Sequence, residues 1–272
     1  MDSTEERLIR DMLVKKTPRP TLFFDVNIVE HCNLNCAHCG SFAPLAEEEY
    51  LDIEQFSKDM EKLSQLTGGE VHHIQILGGE PLLHPNVNGF CKIARIYFPI
   101  GIIRVVTNGI LIKNMNDEFW ETCRKYDINI APTEYPINID YEEIQKYIES
   151  KGVKFEKYGS ALPWLKIGLT ETGNRNENYS FLKCHNANNC CAVRNGKIYA
   201  CSRIDKIRHL NKYFNKKFNI SNRDWLDIYQ VESLEEIMDF LAKPSPFCRY
   251  CNPFKIMEVE WNRSKKLEDE WL

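Results

Sequence analysis

Short β-branched and aromatic runs alternate with amphipathic helical stretches from residue 21 to residue 169, and that order leaves few topologies open. Strands are expected over Thr21 to Cys32, Val71 to Leu77, Ile102 to Thr107, Ile128 to Pro132, Val153 to Tyr158 and Trp164 to Leu169. Between them, Ile53, Phe56, Met60 and Leu63 follow an Asp52 cap with Gln55 three residues on. Val87, Phe90, Cys91, Ala94 and Phe98 form a second helical face, and Phe119, Trp120, Cys123 and Tyr126 a third. Tyr141, Ile144, Tyr147 and Ile148, capped by Asp140, form a fourth. Such repeats predict an α/β fold with a parallel sheet and crossover helices, open or closed into a barrel. Beyond them the pattern changes. Glu171 to Ser180 is polar and reads as a linker. Arg194 to Ser202 reads as a hairpin around Asn195-Gly196. Ser233 to Lys243 reads as a helix with a Ser233/Glu236 capping box, ended by Pro244 and Pro246. The boundary falls near residue 172, giving domains over residues 1–172 and 173–272.

The 272 residues carry 39 acidic and 35 basic side chains, a net charge of −4, which argues against nucleic acid as a partner. With 43% hydrophobic and 27% charged residues, the chain is neither disordered nor fibrous. No apolar run approaches the ~20 residues needed to cross a bilayer. Charges at Asp2, Glu5, Glu6, Arg7, Arg10 and Asp11 leave no secretory signal, so a cytoplasmic protein without a membrane partner is expected. Eleven cysteines are many for that setting, where disulfides are rare. Three cluster at Cys32, Cys36 and Cys39, and six lie at Cys184, Cys190, Cys191, Cys201, Cys248 and Cys251, a distribution that reads as metal ligation. Cys91 and Cys123 stand alone on apolar helical faces, where free cysteine behaves as a small hydrophobe.

Cys32 to Cys39 has the spacing C-x3-C-x2-C. Three thiolates fall one short of the four that a cubane [4Fe–4S] cluster takes, leaving one iron open to a substrate or cofactor. With His31 or His38 they could instead make a Cys3His zinc site. Gly78-Gly79-Glu80-Pro81 ends the second expected strand, and Val105-Val106-Thr107-Asn108-Gly109 ends the third. These three motifs, in this order and each at the C-terminal end of a strand, resemble the radical SAM superfamily over residues 20–170, with His38 where an aromatic residue is usual.

The resemblance implies a partial (β/α)6 TIM-like barrel. Cys32, Cys36 and Cys39 would hold three irons, and S-adenosylmethionine would occupy the fourth. One electron, from a flavodoxin- or ferredoxin-like donor, would cleave the sulfonium to a 5′-deoxyadenosyl radical that abstracts hydrogen from an unactivated C–H bond. Gly78 and Gly79, lacking Cβ, would let backbone approach the methionine amine. Glu80 would face its ammonium. Asn108 would meet ribose or carboxylate, backbone near His38 the adenine, and Thr133 and Glu134 the ribose. A solvated loop carboxylate is the other reading of Glu134.

Side chains alternate across a strand. Leu22, Phe24, Val26 and Ile28 share one parity of the first strand, and Asp25, Asn27 and His31 the other. If the apolar parity packs on the helices, Asp25, Asn27, His73, Gln75 and Arg104 point inward and line a pocket for a small polar substrate, unless they satisfy one another.

The Gly196 hairpin, Cys201 and the pair Cys248-x2-Cys251 resemble the twitch form of the SPASM auxiliary-cluster domain over residues 180–255. This implies a small cysteine-rich α+β domain with a second [4Fe–4S] cluster on Cys184, Cys201, Cys248 and Cys251; a zinc ribbon is the alternative. Cys190 and Cys191 exceed that pattern, and Cys184-x5-Cys190 resembles two-cluster spacing, so which thiol is spare stays open. A spare thiol near the barrel mouth could return hydrogen to a substrate radical. The combination resembles sugar- and aminocyclitol-modifying enzymes of the superfamily, which implies oxidation of an alcohol or epimerisation. Maturation of a ribosomal peptide, by crosslinking or epimerisation, is the second expectation. A non-catalytic Fe–S electron carrier or activating partner is the third, and Gly78-Gly79-Glu80 speaks against it. The stretch Glu258 to Leu272, with Trp261 and Trp271, is expected to pack over the barrel or the auxiliary domain.

Overall fold

A computed structural model of the chain describes residues 22–184, 186–187 and 190–272; Thr21, the expected start of the first strand, and the charged stretch before it lie outside the described residues. The expected alternation is present: β1 (Phe23–Val29), α1 (Ile53–Thr67), β2 (His73–Gly78), α2 (Val87–Tyr97), β3 (Ile102–Thr107), α3 (Asp117–Lys125), β4 (Ile128–Glu134), α4 (Tyr141–Ser150) and β5 (Gly159–Ser160), with all five strands parallel. Asp52 and Asp140 cap α1 and α4 as expected, each oxygen accepting from first-turn backbone N–H groups. No helix of the described residues is long and apolar enough to cross a membrane.

The strand expected over Val153 to Tyr158 is shorter and later than expected. Only Phe155 bridges to Ile130 before Gly159 and Ser160 pair with Thr133 and Glu134. The exposed side chains of Lys154 and Lys157 keep that edge in water.

β6 (Trp164–Leu169) is a strand but not a sixth barrel strand. It pairs antiparallel with β10 (Cys251–Val259) in a separate two-stranded sheet. Only Ala161 to Pro163 separate it from β5, far too few for the dozen or so residues of a parallel crossover. The place beside β1 goes to β7 (Ala192–Arg194), which runs parallel to it; the Asp25 N–H donates to the Cys191 carbonyl at 2.7 Å. β7 turns through Asn195 and Gly196, both at positive φ, into β8 (Lys197–Tyr199). β9 (Leu226–Asp227) completes the order β5-β4-β3-β2-β1-β7-β8-β9, so the sheet continues across residue 172.

The stretch Glu171 to Ser180 is not linker throughout. It contains the start of α5 (Glu177–Lys183), capped by Asn176. α6 (Ser202–Phe214) begins where the hairpin was expected to end. It buries Arg203, Lys206 and His209 beside Ile204, Ile207 and Leu210, which masks its apolar face in the sequence. α7 (Leu234–Leu241) carries the expected capping box.

One core joins the two halves of the chain. Phe24, Val26, Ile28, Ile74, Ile76, Ile103, Val105 and Ile130 pack against the helical faces that include Cys91 and Cys123, and Ile198, Ile237 and Leu241 belong to the same cluster. An ionic cluster forms a second link. Glu30, just after β1 and 3% exposed, meets Arg194 of β7 and Lys206, Arg208 and His209 of α6, the last at 2.6 Å. Burial alone would raise the Glu30 carboxyl, but the His209 bond and the three cations hold it well below the usual range. Removing one partner of such a cluster leaves buried charge uncompensated. Glu30→Gln is expected to cost ~3–5 kcal/mol in urea unfolding at pH 7. The difference from wild type should shrink as pH falls below the unfolded carboxylate range, where the stabilisation from ionised Glu30 is itself lost.

Candidate active site

The first cysteine set lies on the loop that leaves the C-terminal end of β1. Cys32, Cys36 and Cys39 open onto one cavity of about 240 Å³, also lined by Gly78, Gly79, Thr107, Asn108, Thr133, Tyr135, Tyr158 and Trp164. The cavity sits at the C-terminal ends of the parallel strands, where ligands bind in such sheets. Donors converge on the sulfurs. The Leu34 N–H donates to Cys32 Sγ at 3.4 Å, and the backbone N–H groups of Ser41, Phe42 and Ala43 favour the Cys39 thiolate. Burial nonetheless pushes the Cys32 and Cys36 thiols up to about 12, because each would carry charge away from water. A positive centre among them is the natural counter-charge. Among the described residues no group of three or more His, Cys, Asp or Glu side chains is gathered around a single-ion site. A cubane takes its thiolates on separate irons and does not require that convergence.

The tail after β10 grips this loop. The Ala37 N–H donates to the Asn262 carbonyl at 2.8 Å, the Ser264 N–H to Asn35 O at 2.8 Å, and the Trp271 indole to Cys39 O at 2.9 Å. Trp164 of β6 donates to Ala37 O at 2.9 Å. His38, at positive φ, turns its Nδ1 to the Glu270 carbonyl, 2.7 Å away, and does not line the cavity.

Gly78 and Gly79 serve the loop before any ligand. A Cβ on Gly79 would lie 1.9 Å from the His31 carbonyl oxygen, and one on Gly78 2.3 Å from that of Val29. Glu80 is fully buried and uses both oxygens internally. It accepts from Leu82 N–H and Thr107 Oγ1 through one, and from Asn108 N–H at 2.9 Å through the other. Burial raises its carboxyl to about 7 against those bonds. Asn108 stands at the cavity wall, its Nδ2 2.7 Å from Asn33 Oδ1 and 3.8 Å from Cys32 Sγ. Thr133 lines the cavity, whereas Glu134 sits 3.6 Å from the Lys157 ammonium. Tyr135, Tyr158 and Trp164 line the cavity without having been singled out from the sequence; their places at or just beyond strand ends were the available signal.

Strand register assembles a polar row beneath this cavity. Asp25 pairs with Gln75, Gln75 with Arg104, and Arg104 with Asn129, so four neighbouring strands present these residues on one face. Gln75 donates to Asp25; Arg104 bonds Glu156 and reaches His73 Nε2 at 2.9 Å; Asn129 donates to Glu156 at 3.1 Å. The row remains incomplete. Asn27 Oδ1, Gln75 Oε1 and Arg104 Nε are buried without partners. The Tyr158 ring lies 5.3 Å from the Arg104 guanidinium, linking row and cavity. Burial raises the Asp25 carboxyl to about 7, opposed by Gln75 and Arg104.

The second cysteine set also converges. Charge on the Cys184 thiolate reaches Cys201, Cys248 and Cys251, and disfavours ionisation of each. Cys190 is a fifth neighbour, paired with Cys201 by a backbone β-bridge and within electrostatic reach of Asp25 and Tyr158. Cys191, 3% exposed, sits in the apolar core.

The Gly79 contact generates a direct test. Gly79→Ala drives a methyl into backbone that has no free side chain to yield, and is expected to lower stability by ~3 kcal/mol or more in urea unfolding. It should also abolish iron uptake by the first cysteine set. At Gly168 an added Cβ meets nothing nearer than 3.9 Å, so Gly168→Ala should retain full iron content.

Residues 26–167, just over half of the chain, match the Radical SAM superfamily. GTP 3',8-cyclase of Chlorobaculum tepidum is 29% identical over 110 residues, 40% of this chain and 32% of that protein, so the chain spans about a third of that relative's length. GTP 3',8-cyclase of Trichodesmium erythraeum is 21% identical over 277 residues, covering 89% of this chain and 80% of that protein. A solved structure of BtrN in complex with AdoMet and 2-DOIA is similar with a TM-score of 0.54 at 18% identity, over 93% of this chain and 98% of that one. The motif positions, the cavity above the parallel strands and the superfamily match agree, and this chain belongs to the radical SAM superfamily, whose members use a [4Fe–4S] cluster and S-adenosylmethionine.

Proposed function

We propose that this chain oxidises or epimerises a small polar substrate by radical SAM chemistry, holding it against the Asp25–Gln75–Arg104–Asn129 row. The observation that carries the reading is that row: buried polar atoms without partners, directly under a thiol-lined cavity. Buried polar groups left unpaired are costly, and a hydroxyl-rich ligand satisfies them. The residues fit the cofactors. Cys32, Cys36 and Cys39 would hold one [4Fe–4S] cluster, and Cys184, Cys201, Cys248 and Cys251 a second. Thr133 and Asn108, which line the same cavity as these thiols, would bind S-adenosylmethionine. When bound, these groups supply hydrogen abstraction from carbon and an acceptor for one electron.

The chain's own residues do the remainder. Arg104 and Gln75 orient hydroxyl groups. Asp25, ionised above about pH 7, accepts the hydroxyl proton as carbinol becomes ketone. Tyr158 closes the space between row and cavity. Cys190, next to Asp25, favours epimerisation as the second reading, with its S–H hydrogen delivered to the substrate radical.

The test uses anaerobically reconstituted protein, dithionite and S-adenosylmethionine, with sugars, aminocyclitols, GTP and short peptides as substrate panels. One polar compound should accelerate 5′-deoxyadenosine release at least tenfold. Loss of two hydrogens marks oxidation; unchanged mass in ordinary water with uptake of one deuterium in heavy water marks epimerisation. Wild-type turnover should rise with pH through about 7. Asp25→Asn should lose that limb and most substrate-dependent turnover while keeping slow uncoupled cleavage. Stimulation by peptides alone, or an unaltered Asp25→Asn pH profile, defeats the reading.

A further inference from the structure

Arg203, in the first turn of α6, is 8% exposed. A guanidinium keeps its charge, and burying it without an anion is strongly unfavourable. Of the other buried cations, Arg194 and Lys206 meet the Glu30 carboxylate, and the Lys166 ammonium donates to the carbonyls of Asp269 and Leu272. Arg203 has no carboxylate at ion-pair distance among the described residues. Its Nη1 donates to the Ile167 carbonyl at 2.9 Å, and its head group lies over Phe42, 5.8 Å from the ring centre.

What flanks it are the two cysteine sets. Nη2 lies 3.6 Å from where a side chain on Gly40 would begin, beside Cys39 of the first set. Its Nη1 partner Ile167 lies on β6, whose Leu169 pairs with Cys251 of the second set, and Cys201 stands two residues before it at the N-terminus of α6.

We propose that Arg203 is the shared counter-cation of the two cysteine sites, a positioning residue whose charge both clusters feel. The inference rests on the two-cluster reading above. A cluster gains negative charge on reduction, and a nearby buried cation stabilises the reduced form. One cation between two such centres makes both easier to reduce.

The experiment is an EPR-monitored redox titration of the reconstituted protein, with iron counted on the same samples. Wild type should hold about eight irons per chain. Arg203→Met, which removes the charge at similar length, should shift the reduction equilibrium of both clusters toward the oxidised form by tenfold or more, ~59 mV for one electron. Arg203→Lys should leave both close to wild type. Where Arg203→Met loads poorly, Arg203→Gln, uncharged but still able to donate, should show the same double shift. Wild type with only about four irons refutes the two-cluster reading. Eight irons with both potentials unmoved, or only one moved, refutes the shared cation and leaves that reading standing.

Discussion

The rest of the site depends on the backbone contact between Gly79 and the His31 carbonyl. Parallel pairing brings the ends of β1 and β2 together, and the absence of a Cβ lets the chain after β2 run directly under the chain after β1. The cysteine loop is thereby set over the sheet rather than into solvent. Glu80 follows at once and carries the same constraint sideways, bonding Thr107 and the Asn108 backbone at the end of β3. Three consecutive strand ends are latched, and the cavity is the space that remains between them.

Below the latch, the sheet does two jobs on its two faces. The outer face is apolar against the helices and supplies the core. The inner face carries Asp25, Gln75, Arg104 and Asn129 in register, and this interior departs from the bulky branched filling common in closed barrels. Internal hydrogen bonds offset part of the desolvation, yet several donors and acceptors stay unpaired. A chain that keeps such atoms in its interior has stability to gain from a polar ligand there.

The C-terminal third is held to this frame by charge as much as by apolar contact. Glu30 gathers cations from β7 and α6, while Arg203, one turn earlier on the same helix, turns to Gly40 and the Ile167 carbonyl instead. The tail then returns across the cysteine loop, with backbone bonds to Asn35 and Ala37 and the Trp271 indole on Cys39. Residues far apart in sequence thus enclose the first cysteine set from above and below.

The alternation of β1 to β4 with their helices, the caps at Asp52 and Asp140, the Asn195-Gly196 hairpin and the motif at each strand end were all legible, because each rests on local periodicity or on residues a few positions apart. So was the inward parity of Asp25, Gln75 and Arg104. The partner of Trp164–Leu169, the docking of Ala192–Arg194 beside β1 and the helix from Ser202 were not. Strand partners depend on which edge is free and how long the crossover is, and α6 hides its buried face behind charged side chains whose counter-charges lie elsewhere. By itself the sequence determined which motifs stand at the strand ends and which face of each strand the polar residues take. The tertiary structure alone decided that Glu80 spends its oxygens as a latch, that Tyr135, Tyr158 and Trp164 wall the cavity, and that Arg203 is buried against Gly40 and the Ile167 carbonyl, since each of these is a contact across many residues that no local pattern encodes.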